Sequence, residues 1–221
     1  MTTLSRRGLL ATTGALSLAG VLAACADTGA DGKAVASSSA SDADYDKAIN
    51  SGPVAADDVV AASPWAASVK QAKKLVTGGT KTSEVFSWED SKTKKISGFD
   101  AAIAQALARY IIGGDDARSL LEVQQVTSET RETVLTNGTV KAVIATYTIT
   151  PERAKKIDFA GPYYASSQAI LVKADNQDIT GVDTLTGDVA VQSNSSSAAA
   201  LKKHAPKATA KPFDTQAKCV A

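Results

Sequence analysis

The stretch Val140-Lys141-Ala142-Val143-Ile144-Ala145-Thr146-Tyr147-Thr148-Ile149-Thr150-Pro151-Glu152-Arg153 decides how this chain is read. Its first half, Val140 to Thr146, is largely apolar and suits a strand buried on both faces, as strands of parallel sheets are. The second half turns polar where that strand ends. Thr146 and Thr148 stand at alternate positions, so their hydroxyls and backbone groups face one crevice. Pro151 suits the first turn of a helix and Glu152 its positive end. Arg153 offers a planar fork of donors matched to a carboxylate. In open α/β sheets, ligands bind beyond the carboxyl ends of strands, which is where this transition lies. The same residues also fit a polar loop with a solvated arginine.

Strand and helix signals alternate on both sides of this stretch. Leu75-Val76-Thr77 reads as a short strand leading into Gly78-Gly79, and packing is expected to begin there. Ser97 to Ile112 is the clearest helix, with Phe99, Ile103, Leu107, Tyr110 and Ile111 along one face. Asp100 sits at its positive end, and Gly113-Gly114 stops it. Leu120 to Val126 reads as a strand and Ser128 to Thr136 as a short helix. Past Pro151, Ala169 to Lys173 and Val189 to Gln192 read as strands, Ser195 to His204 as a helix, and Phe213 as part of a third strand. Such alternation argues for α/β layers. Asp57 to Lys74 is helical, interrupted at Pro64.

Composition narrows the function. The 221 residues carry 24 Lys and Arg against 23 Asp and Glu, which removes the electrostatic footprint of a nucleic-acid binder. One His and two Cys leave no zinc-finger spacing. His204 lies beside two lysines at a helix end, so a Ser-His-acid triad is not supported. No glycine-rich phosphate loop follows a strand, and Gly78-Gly79 alone is too weak a sign of one. No catalytic residue, metal site or cofactor is expected, and a binding protein is favoured over an enzyme.

The amino terminus reads as an address. Arg6 and Arg7 precede an uncharged run, Gly8 to Ala24, that is too short and too diluted by small residues for a permanent span. Residues 1–24 are therefore expected to be an export signal, of either the twin-arginine or the general secretory kind. Leu22-Ala23-Ala24-Cys25 resembles a bacterial lipoprotein box, which implies lipidation at Cys25. Asp27 to Asp44 is rich in Ala, Ser, Gly and Asp and reads as a tether. Loss of residues 1–24 removes Arg6 and Arg7 and no acid, so the net charge passes from +1 to −1. With Cys25 lipidated, Cys219 is left unpaired.

Several motifs in order then resemble one family. They are Ser97-Gly98-Phe99-Asp100, Leu135-Thr136-Asn137-Gly138-Thr139-Val140, the Thr-x-Thr-Pro-Glu-Arg core, Asp158-Phe159-Ala160-Gly161-Pro162-Tyr163-Tyr164 and Asp183-Thr184-Leu185-Thr186-Gly187. From about Leu75 to Ala221 the sequence looks like a bacterial extracytoplasmic solute-binding protein of a polar amino-acid ABC importer, family 3. The resemblance implies a periplasmic-binding-protein-like α/β fold of two lobes closing on a ligand. It divides the sequence into signal (1–24), lipid-anchored tether and N-terminal helix (25–74), lobe one (75–168) and part of lobe two (169–221).

The family's site residues carry over by position. Arg153 matches the arginine that pairs with the ligand α-carboxylate, Thr148 a donor to the same group, and Thr146 a contact to the ligand amine. Phe86 and Trp88 match an aromatic wall, though both also suit core packing. Ser128 and Arg131, in Thr127-Ser128-Glu129-Thr130-Arg131, resemble the pair that holds a side-chain carboxylate in the glutamate/aspartate-binding branch; Ser128 equally suits a helix cap. Glu129 departs from that pattern and would disfavour an anionic ligand unless it points away. Ser195 and Ser196 match a Ser/Thr pair opening a second-lobe helix, where N–H groups receive a carboxylate or are simply capped. Asn194 stands where the family has glycine and tolerates left-handed geometry.

The implied function is extracytoplasmic binding of a polar amino acid, glutamate first, for delivery to a membrane permease and ATPase. The implied location is the outer face of the cytoplasmic membrane. An enzyme on the same fold (dehydratase-like or peptidoglycan-cleaving) and a sensory lipoprotein without a transport role are the alternatives. The family continues beyond the equivalent of Cys219-Val220, through a strand whose acidic residue grips the ligand amine. The second lobe is therefore expected to be incomplete, with the sequence truncated at its carboxyl end.

Overall fold

The computed structural model describes residues 41–221. The expected signal, Cys25 and residues 27–40 of the tether lie outside the described residues. Ser41 caps helix α1 (Asp42–Asn50) by accepting from the Asp44 amide. Helix α2 (Asp57–Ala61) follows, and α3 (Pro64–Ala72) starts with Pro64 in its first turn and Ser63 accepting from the Ala66 amide. These helices are part of the core. Ala55, Val60, Ala66 and Val69 are buried in one cluster with Leu75, Ala108 and Ile111. Tyr45 of α1 donates to Gln105 at 2.8 Å. Packing therefore begins well before Leu75, because the 42–72 helices carry apolar faces that the sheet and the long helix need as cover.

Strand β1 (Leu75–Gly79) is the centre of the first sheet. The small strands β2 (Thr82–Ser83), β3 (Ser87–Glu89) and β4 (Ile96–Ser97) form an antiparallel sheet of their own. Gly98 then turns the backbone into helix α4 (Phe99–Ile112) with φ of 117°. A Cβ there would lie 2.6 Å from the Phe86 carbonyl, so only glycine fits. The α4 amides of Phe99 and Ala101 donate to the carbonyls of Val85 and Phe86, which ties that loop to the helix start.

The packed face of α4 differs from the expected stripe. Ala101, Ala104, Ala108 and Ile111 are buried together with Asp100 and Gln105, whereas Phe99, Ile103 and Tyr110 are about 40% exposed (41, 37 and 39%). Alanines let the helix approach α1, α3 and β1 closely, and the large residues are left to other surfaces. Ile103 and Leu107 face the crevice described below.

Strand β5 (Leu121–Gln125) pairs in parallel with β1 from Leu75↔Leu121 to Gly79↔Gln125. Helix α5 (Arg131–Thr136) leads to β6 (Ala142–Val143), parallel on the other side of β1. The regular part of β6 is shorter than the apolar run Val140 to Thr146, although the Lys141 and Ile144 amides donate to the Val76 and Gly78 carbonyls. Pairing stops where Thr146 takes a positive φ of 44°. Helix α6 (Pro151–Ala154) follows, with Thr150 accepting from the Arg153 amide.

Residues 160–186 contain no helix or strand. The strand expected over Ala169 to Lys173 is absent: this segment joins no ladder, and Leu171 is 78% exposed. The second lobe is built on β7 (Gly187–Gln192) and β8 (Ala208–Phe213), parallel from Gly187↔Ala208 to Gln192↔Phe213. Phe213 thus ends the second strand of this sheet, not a third. Helices α7 (Ser197–His204) and α8 (Gln216–Val220) flank it. The architecture is the expected α/β one, with two lobes.

Candidate functional site

A crevice of about 2640 Å³ runs along the carboxyl end of β6 and across to the second lobe. The β6 exit loop supplies its centre. Thr146 holds φ of 44°, an uncommon conformation for a β-branched residue. Its amide donates to Asp100 Oδ2 at 3.0 Å. The Tyr163 hydroxyl donates to the other oxygen, Oδ1, at 3.0 Å. Asp100 is 1% exposed, and burial pushes its carboxyl above the usual range against the pull of these two bonds. Burial, with the Asp100 charge beside it, raises the Tyr163 phenol too. The first turn of α4 therefore fixes a strained loop residue and the segment leaving lobe one.

Arg153 folds back over the same loop, positioned by the Thr150 cap. It donates through Nη1 to the Thr148 carbonyl at 2.7 Å and through Nη2 to the Asn194 carbonyl at 2.9 Å. Arg131 approaches from α5 and is 95% buried. Its Nη1 donates to the Ala145 carbonyl at 3.3 Å and its Nη2 to the Asn194 carbonyl at 3.4 Å, while buried Nε has no partner. Burial brings the Arg131 guanidinium down to about 10, and the Arg153 charge adds to the effect. Both guanidiniums lie over the Tyr147 ring, at 3.7 Å for Arg131 and 4.2 Å for Arg153 from carbon to centroid.

The second lobe meets this group at one turn. Asn194 adopts φ of 53°, as its short polar side chain allows, and its carbonyl receives both arginines. Ser196 Oγ lies 3.1 Å from Thr148 Oγ1 across the crevice. Ser195 Oγ donates to the Gln192 carbonyl at 2.6 Å and accepts from the Ser197 amide at 3.2 Å, so Ser195 caps the turn while Ser196 reaches lobe one.

Thr146, Thr148, Arg131, Ser195 and Ser196 line the crevice, and Arg153 joins them through the Thr148 and Asn194 carbonyls without lining it. Ser128 also lines the crevice, and the turn before α5 is held by Thr127, whose hydroxyl accepts from the Glu129 and Thr130 amides. Glu129 is exposed and outside the lining. Phe86 lines the crevice and meets the Tyr164 ring edge-on at 5.3 Å. Trp88 does not line it: its strand position pairs it with Thr82 and Ser97 in the small sheet. The aromatic side is made by Phe86, Tyr163 and Tyr164, with Phe99 packed behind them. Sequence reasoning gave Tyr147, Tyr163 and Glu132 no role. Tyr147 lay inside the quoted stretch, but alternation along a strand placed it on the face away from the threonines, and the backbone turns at Thr146. Among the described residues, no cluster of His, Cys, Asp and Glu is arranged to hold a metal, and no helix is long and apolar enough to cross a membrane. Among the described residues Cys219 has no disulfide partner.

Residues 75–216 match the model of the bacterial extracellular solute-binding proteins, family 3. A glutamine-binding protein of Geobacillus stearothermophilus is 35% identical over 150 residues, 67% of this chain and 56% of the relative. A glutamate-binding protein of Corynebacterium efficiens is 31% identical over 150 residues, 66% of this chain and 50% of the relative. The chain spans about half the length of such relatives. Among solved structures, an ancestral amino acid-binding protein, precursor of cyclohexadienyl dehydratase, superposes with a TM-score of 0.62 at 32% identity, covering 70% of this chain and 68% of that one. An ancestral arginine-binding protein bound to arginine superposes at 0.56 and 31%, covering 67% and 64%.

Proposed function

This chain belongs to the bacterial extracellular solute-binding proteins of family 3, and we propose that it binds a polar α-amino acid, with L-glutamate first and L-glutamine next. The observation that carries the reading is the meeting of the Arg131 guanidinium with the hydroxyls of Thr148 and Ser196 at the crevice between lobes, with Arg153 next to them on the Thr148 and Asn194 carbonyls. Arg153 takes the α-carboxylate, helped by Thr148 and the turn at Ser195 and Ser196, and Thr146 offers its carbonyl to the amine. Arg131, with Ser128 beside it, reads the ligand side chain. Its buried Nε without a partner is an unused donor where a second carboxylate would be favoured. Phe86, with Tyr164, covers the aliphatic part of the ligand; Trp88 stands outside that role.

Closure of the lobes on the ligand presents a shape to a membrane permease with its ATPase. Cys25 anchors the exported protein by lipid at the outer face of the cytoplasmic membrane. The test is calorimetric titration of the 221-residue protein with a panel of L-amino acids. Saturable heat with glutamate or glutamine, lost in Arg153→Ala, supports the reading; no saturable heat with any member of the panel overturns it.

A further inference from the structure

Two like charges, one on buried Arg131 and one on half-buried Arg153, converge on the same groups, and something must hold them there. Both guanidiniums share one carbonyl, Asn194, and both lie over one ring, Tyr147. Tyr147 is itself fixed from the far side. Its hydroxyl donates to Glu132 Oε1, and Lys156 Nζ donates to Glu132 Oε2 at 3.1 Å. Phe159 packs on the ring with centroids 5.6 Å apart. The Tyr147 bond and the Lys156 contact hold the Glu132 carboxyl below the usual range, so it stays an acceptor at neutral pH. Donation to a carboxylate enriches the phenol ring in electron density, which strengthens its attraction for a cation over its face.

We propose that Tyr147 is the positioning residue of the site, a shared platform that holds Arg131 and Arg153 side by side, with Glu132 and Lys156 as its buttress. The ring offsets the repulsion between the two guanidiniums and sets the spacing at which they meet two carboxylates of one ligand. Selectivity for a dicarboxylic amino acid over its amide then depends on the ring as well as on the arginines. This rests on the amino-acid-binding reading above for its affinity consequences, but the platform itself is testable without ligand.

In ligand-free protein, the Arg131 and Arg153 side-chain protons are expected to show ring-current shifts in NMR spectra. Both shifts should disappear together in Tyr147→Leu and persist in Tyr147→Phe. Shifts that are absent in the parent protein, or that survive Tyr147→Leu, overturn the proposal whether or not any amino acid binds. In titrations, Tyr147→Leu should weaken glutamate binding about 10-fold or more, since two cation–π contacts are lost. It should also shrink the preference for glutamate over glutamine. Tyr147→Phe, which keeps the ring, should stay within about threefold of the parent. Equal loss for both ligands with an unchanged preference would reduce Tyr147 to a packing residue and overturn the selectivity role. A parent protein that binds nothing removes the functional reading, and the NMR arm still decides the platform.

Discussion

The two lobes contribute differently. The first surrounds β1 with parallel neighbours and buries it beneath α2, α3 and α4, and Leu75, Val69 and Ala108 are nearly or fully inaccessible. The second rests on a two-stranded ladder, no residue of α7 or α8 is buried, and Leu185, Val191 and Ala205 are its principal buried apolar side chains. Yet the second lobe places the Asn194 carbonyl and the Ser196 hydroxyl against lobe one. Lobe one therefore provides rigidity and charge, and lobe two provides partners for that charge. Stability and binding should respond separately to substitution.

The largest expected effect breaks the binding side of this contrast. Arg153→Ala should weaken glutamate binding by about 2–5 kcal/mol, because truncating one partner of a hydrogen-bonded charge pair leaves the ligand carboxylate without its donors. Its thermal midpoint without ligand should move little. A large drop in stability with unchanged affinity would reverse the roles assigned to the residue.

Leu75→Ala addresses the rigid side. Removing a fully buried side chain from the central strand should destabilise the first lobe by about 2–5 kcal/mol in urea unfolding. Val191→Ala in β7 removes less buried surface and should cost about 1–2 kcal/mol at ~0.8 kcal/mol per methylene-sized group. A Val191→Ala effect equal to that of Leu75→Ala would show the second lobe to be as tightly packed as the first.

Asp100 gives the contrast a pH signature. Burial raises its folded-state pKa above the unfolded value. The folded state therefore binds the proton more readily, and the residue's contribution to stability is fully present below the ordinary Asp value and is lost as pH rises through the raised folded value. Unfolding midpoints of the parent relative to Asp100→Asn should fall as pH is taken from about 4 to about 7. A flat or rising difference would contradict the burial account. Ser196→Ala should have the smallest effect, weakening ligand binding by about 0.5–1.5 kcal/mol through one lost hydrogen bond.

Much of the rigid lobe was legible in the residues. The apolar runs at Leu75 and Val140, Pro151 in the first turn of α6, and the glycines after α4 each specify local structure through steric rules that act within a few positions. The packed face of α4 was not legible. Periodicity ranks residues by hydrophobicity, whereas close approach to α1 and β1 selects alanines and leaves Phe99 and Ile103 outside the core. Ala169 to Lys173 has strand composition, but a strand exists only where another backbone offers partners. In the candidate site, Arg153 and Thr148 are singled out by motif and Ser196 by resemblance, and the structure sets Thr148 and Ser196 within 3.1 Å of each other. The platform at Tyr147 was not legible, because its role depends on a reversal of the backbone at Thr146 and on Glu132, 15 residues away in sequence.

The most direct test of the account is one calorimetric experiment, L-glutamate titrated into the 221-residue protein and into its Arg153→Ala variant under the same conditions. A single saturable site is expected in the parent, and its loss, or a weakening of about 30-fold or more, in the variant. Equal binding by the two proteins would contradict the placement of the ligand carboxylate on Arg153, and the absence of binding in both would contradict the amino-acid-binding role.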